Sequence, residues 1–173
     1  MSSEVGKSPI VSSAHLVSAQ SAELSEFEFG LIVASHAFER WVSRCMAAAG
    51  IPDLAPLDVL VLHTTNHRAR HKRLADICFV LNIDDQHLVS YALKKLGRLG
   101  LVERTRKGKE VLYSTSAEGQ AACLRYREVR ERCLVDALVL GRIADNPRIG
   151  EAAGLLRALS GLYDQAARSA TSL

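Results

Sequence analysis

The chain has 173 residues, 48% hydrophobic and 24% charged, with a formal net charge of +3. That length suits one compact domain, or a domain with a tail, and the balance is that of an ordinary soluble globular protein. No apolar run approaches the roughly 20 residues of a bilayer span, and Lys7 has no apolar block behind it to form a secretory leader, so a cytoplasmic location without a membrane partner is expected.

In chain order, Met1 to about Gln20 is Ser-rich, without periodicity, and reads as a tail; the whole of 1–22 is assigned to it. A first helix is expected over 23–50, opened by the capping-box spacing Ser25-x-x-Glu28. Its residues Leu31, Ala34, Phe38, Val42, Cys45 and Ala49 step by four and three along one stripe, and Gly50 with Pro52 ends it. Pro56 opens a second helix, which stops near Asn66 at the basic stretch Arg68 to Arg73. A third runs from about Lys72 to Leu81, with Asn82 as a left-handed stop. Asp84 or Asp85 then caps a fourth, reaching about Leu99.

Leu101 to Arg106 and Glu110 to Ser114 read as two strands around a tight turn at Lys107-Gly108. Thr115-x-x-Glu118 has capping-box spacing for a long helix to about Leu140. A last helix after Pro147 carries Ile149, Ala152, Leu156, Leu159 and Tyr163 on one face. With aromatics at only 5%, Leu, Ala and Val must build the interior. The fold class expected is mainly α: a winged helix-turn-helix over 54–116 with a small β-hairpin wing, flanked by helices at 23–50 and 117–168.

Cys45, Cys78, Cys123 and Cys133 form no C-x-x-C pair and fall in apolar helical patterns, which suits reduced, buried thiols. The sharper alternative is redox sensing, for which Cys45, beside Arg44, is the first candidate. Charge is localised. From Val61 to Glu110 eleven cations face five acids, +6, so the rest of the chain sums to −3. A basic middle on a near-neutral chain is the footprint of a polyanion-binding module.

The fourth helix gives that charge a shape. Val89, Leu93 and Leu96 form its packed stripe, with Leu88 and Ala92 beside it. Gln86, His87, Ser90, Tyr91, Lys94, Lys95 and Arg98 cover the outward face. Early donors and acceptors with later cations are what a major groove requires: base edges are read near the helix start while cations hold phosphates. Behind it, Arg104, Arg106, Lys107 and Lys109 crowd around Gly108, able to lie along a backbone or enter a minor groove. Double-stranded DNA is therefore the expected partner. Gln86, His87, Ser90, Tyr91, Lys94, Arg98, Arg104, Arg106, Lys107 and Lys109 are the candidate contacts.

Val89-Ser90-Tyr91 with Leu96-x-x-x-Gly100-Leu101-Val102-x-Arg104, and Ser116-x-x-Gly119 downstream, resemble the recognition helix, wing start and fifth-helix start of the MarR family of bacterial regulators. The likeness covers roughly Glu23 to Gln165. It departs at Asp84-Asp85, where the turn is one residue longer, at Cys78 in a small-residue slot, and at the short tip Lys107-Gly108-Lys109. The resemblance implies a homodimeric, sequence-specific transcription regulator, usually a repressor, with the flanking helices forming the dimer. It also implies a small phenolic or lipophilic effector, for which His36, Arg40 and Trp41 are candidates beside the plainer reading of Trp41 as core.

His63, His67 and His71 recur every fourth residue, but the helix is expected to break between them, so phosphate contact or solvation is preferred over a metal site. No cofactor is expected, and the motifs of phosphate loops, zinc proteases and serine hydrolases are missing, so an enzyme is not the reading. A winged domain that binds protein instead of DNA is the alternative, favoured by Asp84 and Asp85.

Overall fold

A computed structural model of the protein describes residues 14–141 and 145–173; most of the expected tail, 1–13, lies outside them. The chain divides into two units, Met1–Tyr126 and Arg127–Leu173. The first holds α1 (Ala22–Ala48), α2 (Pro56–Asn66), α3 (Leu74–Leu81) and α4 (Gln86–Arg98), then the strands β1 (Val102–Lys107) and β2 (Glu110–Thr115). α5 (Ala117–Arg130) runs from the first unit into the second, followed by a π-helical turn at Glu131–Val135, α6 (Asp136–Gly141) and α7 (Asn146–Ala170).

Local chemistry explains most boundaries. Pro56 opens α2, and the Asp58 carboxylate accepts the Ala55 N–H at 2.9 Å. Asp76 does the same for Arg73 at the start of α3, at 3.1 Å. Asn82 ends α3 at φ 53, a left-handed conformation that Asn tolerates. Of the two acids before α4, Asp85 is the cap: its carboxylate accepts the His87 N–H at 2.8 Å. The hairpin pairs Val102 with Thr115 through Lys107 with Glu110, and Gly108 turns it at φ 61.

The core of the first unit centres on α2, which packs against α1, α3, α4 and β2. Val59, Val61 and Leu62 of α2 are buried with Val42, Cys45 and Met46 of α1, Ile77 of α3, and Val89, Leu93 and Leu96 of α4. Each such side chain contributes about 1.5–3 kcal/mol on leaving water. The α4 stripe is buried as its periodicity requires, except that Leu88 faces outward, 51% exposed.

Several expectations need correction. Ser25 lies inside α1 and is buried; the helix begins at Ala22 with Ser21 as its N-cap. Ser116, not Thr115, caps α5: its hydroxyl accepts the Gly119 N–H at 3.0 Å and donates to the Gly100 carbonyl at 2.6 Å. Thr115 instead donates to the Asn66 side-chain oxygen at 3.0 Å. Lys72 precedes α3 and pairs as a single β-bridge with Tyr113. The long helix after the hairpin is interrupted by the π turn at Glu131–Val135, because five residues there adopt i→i+5 bonding, which apolar spacing does not announce.

The thiols differ too. Cys45, Cys78 and Cys123 are buried but Cys133 is exposed. Cys45, the redox candidate, donates to the Tyr126 carbonyl at 3.5 Å. Burial pushes the Cys78 thiol up, and Cys123 up to about 11, so both are protonated and unreactive at neutral pH.

The apolar stripe of α1 is buried at Val42, Cys45 and Ala49, whereas every residue from Phe29 to Arg40 is exposed. In the second unit, Asp145 caps α7 by accepting the Arg148 N–H at 3.0 Å. No residue of α7 is buried, and Ile149, Leu155, Leu156 and Leu162 are exposed. No helix of the described residues is long and apolar enough to cross a membrane.

Candidate nucleic-acid interface

α4 is 13 residues long, about 20 Å at 1.5 Å per residue. Its buried stripe fixes which side chains turn outward: Gln86, His87, Tyr91, Lys94 and Arg98 are exposed, and Ser90 is half-buried among them. Tyr91, 65% exposed, stands out as a large ring turned mostly to solvent. None of these side chains is tied down by an ion pair within the described residues.

Lys95 differs. Its ammonium reaches the Asp58 carboxylate at 2.6 Å and donates to the Asp53 carbonyl at 2.7 Å. It therefore fastens α4 to α2 and is not part of the outward face, which corrects the sequence reading. The reason is angular: one residue along a helix turns the side chain by about 100°, enough to carry Lys95 inward while Lys94 stays out.

Strand alternation does similar sorting in the wing. Val102, Arg104 and Arg106 share one face of β1; Val102 is buried and Arg104 borders the space beside α4, while Arg106 lies beyond it. Between α4 and the hairpin lies a groove of about 810 Å³, bordered by Ser90, Tyr91, Lys94, Arg98, Arg104 and Tyr113. Five of the predicted contacts thus meet in one groove. Gln86 and His87 sit at the start of α4, and Arg106, Lys107 and Lys109 at the wing, all exposed and outside that groove.

The wing is held by residues the sequence reading passed over. Lys72 and Tyr113 exchange backbone hydrogen bonds, Lys72 N–H to Tyr113 O at 2.9 Å and Tyr113 N–H to Lys72 O at 2.8 Å. Gly119 brings α5 against the loop before β1: a Cβ there would lie 2.0 Å from the Leu101 carbonyl oxygen. The Ser116-x-x-Gly119 spacing was its only signal. Asp85 is turned back to the α4 N-terminus, where the helix dipole favours an acid, while Asp84 is exposed.

The three spaced histidines separate. His63 packs edge-on against Tyr126, ring centroids 4.5 Å apart, and burial pushes its imidazole below the usual histidine value. It is neither solvated nor placed as a phosphate contact, a second correction. His67 and His71 are exposed in the turn after α2. Among the described residues no group of three or more His, Cys, Asp or Glu side chains is placed to hold a metal ion. His36 and Arg40 are exposed on α1 and Trp41 is half-buried; the groove beside α4 is lined by other residues.

Residues 54–119 match a family model described as a winged helix DNA-binding domain. No curated protein matches the chain. Solved structures do. The MarR family regulator NMB1585 of Neisseria meningitidis is similar at 18% identity and TM-score 0.64, covering 83% of this chain and 94% of its own. A mutant MarR of E. coli, solved with operator DNA, is 16% identical at TM-score 0.63, with 82% and 99% covered. CouR of Rhodococcus jostii, solved with p-coumaroyl-CoA, is 15% identical at TM-score 0.61, with 79% and 92% covered. The resemblance to the MarR family is borne out at the level of the fold.

Proposed function

We propose that this chain, which has the MarR fold and a winged helix DNA-binding domain, is a homodimeric, sequence-specific transcription regulator of the repressor kind. The observation that carries this reading is the groove between α4 and the wing, where Ser90, Tyr91, Lys94, Arg98 and Arg104 converge. Hydrogen-bonding side chains at the start of a free helix face, followed by cations, match the division between base edges and phosphates. Gln86, His87, Ser90 and Tyr91 are assigned to bases, Lys94 and Arg98 to phosphates, and Arg104, Arg106, Lys107 and Lys109 to the backbone or the adjacent minor groove.

A single reading head contacts few bases, so two copies on half-sites one helical turn apart, about 34–36 Å, supply the specificity. The exposed apolar faces of α1 (Phe29, Ile32, Phe38) and of α7 (Leu155, Leu162) are the proposed self-association surfaces. A phenolic or lipophilic effector is assigned to His36, Arg40 and Trp41 on α1, a reading supported by the likeness to CouR. The protein-binding alternative loses one of its two supports, because Asp85 is occupied as a helix cap while Asp84 is exposed.

The test is binding to duplexes selected from random DNA. Arg104→Ala with Lys107→Ala is expected to weaken every duplex alike and to lower the slope of log affinity against log salt by about 0.9 for each phosphate no longer neutralised. His87→Ala or Ser90→Ala is expected to lose about 1–3 kcal/mol of discrimination at particular base pairs. Unchanged binding in both pairs of variants would overturn the assignment.

A further inference from the structure

The wing has no core of its own. Beyond Val102 every residue of β1 is exposed, and in β2 only Thr115 is buried. A lone two-stranded hairpin is marginal in water, so this one takes its direction from where it meets the rest of the chain. It meets the end of α2 at two places on β2. The Thr115 hydroxyl donates to the Asn66 side-chain oxygen at 3.0 Å. Two residues earlier, Tyr113 exchanges backbone hydrogen bonds with Lys72 at 2.9 and 2.8 Å.

Lys72 is in turn fixed by its side chain, which is buried with the residue 5% exposed. Its ammonium donates to the carbonyl oxygens of Thr65 at 2.9 Å, of His67, and of Arg70 at 3.3 Å. Thr65 lies in the last turn of α2, where carbonyls run out of intrahelical donors and the helix dipole favours a cation. Between that turn and Lys72, Arg68 and Ala69 stand at φ 61 and 44. Non-glycine residues hold this left-handed region only where their surroundings impose it. The ammonium spans that turn from its far end back to α2. An ammonium has three donors, and here each has a carbonyl. Unlike the exposed Arg70, His71 and Arg73 beside it, Lys72 has no donor left for a phosphate.

We infer that Lys72 is the positioning residue of the wing. Its ammonium locks the turn between α2 and α3, and its backbone carries that fixed point to Tyr113. Arg104 stands opposite Tyr113 in the hairpin register, and both border the groove beside α4. The lock therefore sets Arg104 at a fixed place relative to the α4 face. Two elements that must grip one duplex together bind better when held in place beforehand, because less freedom is lost on binding. The consequence for DNA rests on the proposed function; the hold on the hairpin does not.

The test uses the full chain with Lys72→Met, which keeps the apolar stem and removes the charge. In the free protein, hydrogen exchange at the Tyr113 amide is expected to rise about tenfold or more, with the Leu93 and Leu96 amides of α4 unchanged. Equal acceleration at all three would reduce Lys72 to general stability, and no change at Tyr113 would remove its hold on the wing; either overturns the inference. On a selected duplex, Lys72→Met is expected to weaken binding per folded molecule about fivefold, and less than about twofold once Arg104→Ala is present. In a His87→Ala background the loss should stay about fivefold. Equal losses in both backgrounds would overturn the link to Arg104. Lys72→Gln keeps two donors without the charge and is expected to give the same pattern at about half the size. It decides the matter if Lys72→Met does not fold, and a wild-type pattern in it would also overturn the inference. A wild-type chain that binds no duplex would overturn the DNA reading instead, while exchange at Tyr113 still decides what Lys72 holds.

Discussion

The winged segment and the flanking helices use apolar residues in opposite ways. In α4 the stripe Val89, Leu93 and Leu96 is buried, and the outward face is polar or cationic apart from Leu88 and Tyr91. In α1 from Phe29 to Arg40, and along α7, apolar side chains such as Phe38 (53% exposed) and Leu155 (52%) face solvent instead. One region has completed its core within a single chain and presents charge. The other presents hydrocarbon, which water opposes, and so calls for a second surface. On the proposed function, that difference separates a part that recognises from a part that assembles.

The largest expected effect breaks the second half of that comparison. Phe38→Glu with Leu155→Glu puts carboxylates on the exposed apolar faces, and sedimentation is expected to show monomers with unchanged helix content. Affinity for a two-half-site duplex falls at least about tenfold when one head must bind alone. A dimer that survives both substitutions would refute the assembly surfaces. Next comes Gly119→Ala, where the new Cβ meets the Leu101 carbonyl oxygen. Denaturant unfolding is expected to show a loss of about 3 kcal/mol, because backbone must shift to relieve the overlap.

Lys95→Met sharpens the first half. Removing the cation leaves Asp58, 6% exposed in its side chain, without its partner, while Lys95 itself was 27% exposed. A stability loss of about 2 kcal/mol is expected, below the range for fully buried pairs, with DNA affinity per folded molecule unchanged. Lys94→Met should do the reverse. The smallest effect belongs to His63. Burial keeps its imidazole neutral in the fold below the ordinary value of 6.5. As pH falls through about 6.5 the unfolded chain takes the proton first, so stability declines from there downward. His63→Leu should flatten that part of a thermal-stability profile, and an unchanged profile would show that His63 is not the group responsible.

The α4 stripe, the hairpin and the cationic wing were all legible in the sequence, since periods of 3.6 and 2 and a Lys-Gly turn are local signals. The caps were half legible: Asp85 was one of two adjacent acids, and the α5 start was offered both as Thr115, by capping-box spacing, and as Ser116, by the family resemblance, of which Ser116 is the cap. Lys95 was misread because its neighbour Lys94 looks the same in a charge count, and only the position of Asp58, 37 residues earlier, tells them apart. The packing at the end of α2 was not legible at all. His63 and Lys72 read as members of a basic solvated run, and nothing local marks Lys72 as buried or His63 as half-buried.

By itself, then, the sequence determined what depends on neighbours along the chain: the helix and strand order, the turns, and which face of α4 is polar. The tertiary structure alone decided what depends on distant residues: that Lys95 points inward, that Lys72 is buried against carbonyls, that Gly119 has no room for a Cβ, and that the α1 stripe is buried at one end and bare at the other. The physical reason is that periodicity reports a preference for burial, whereas burial itself requires another surface, and that surface comes from elsewhere in the chain or from a second copy.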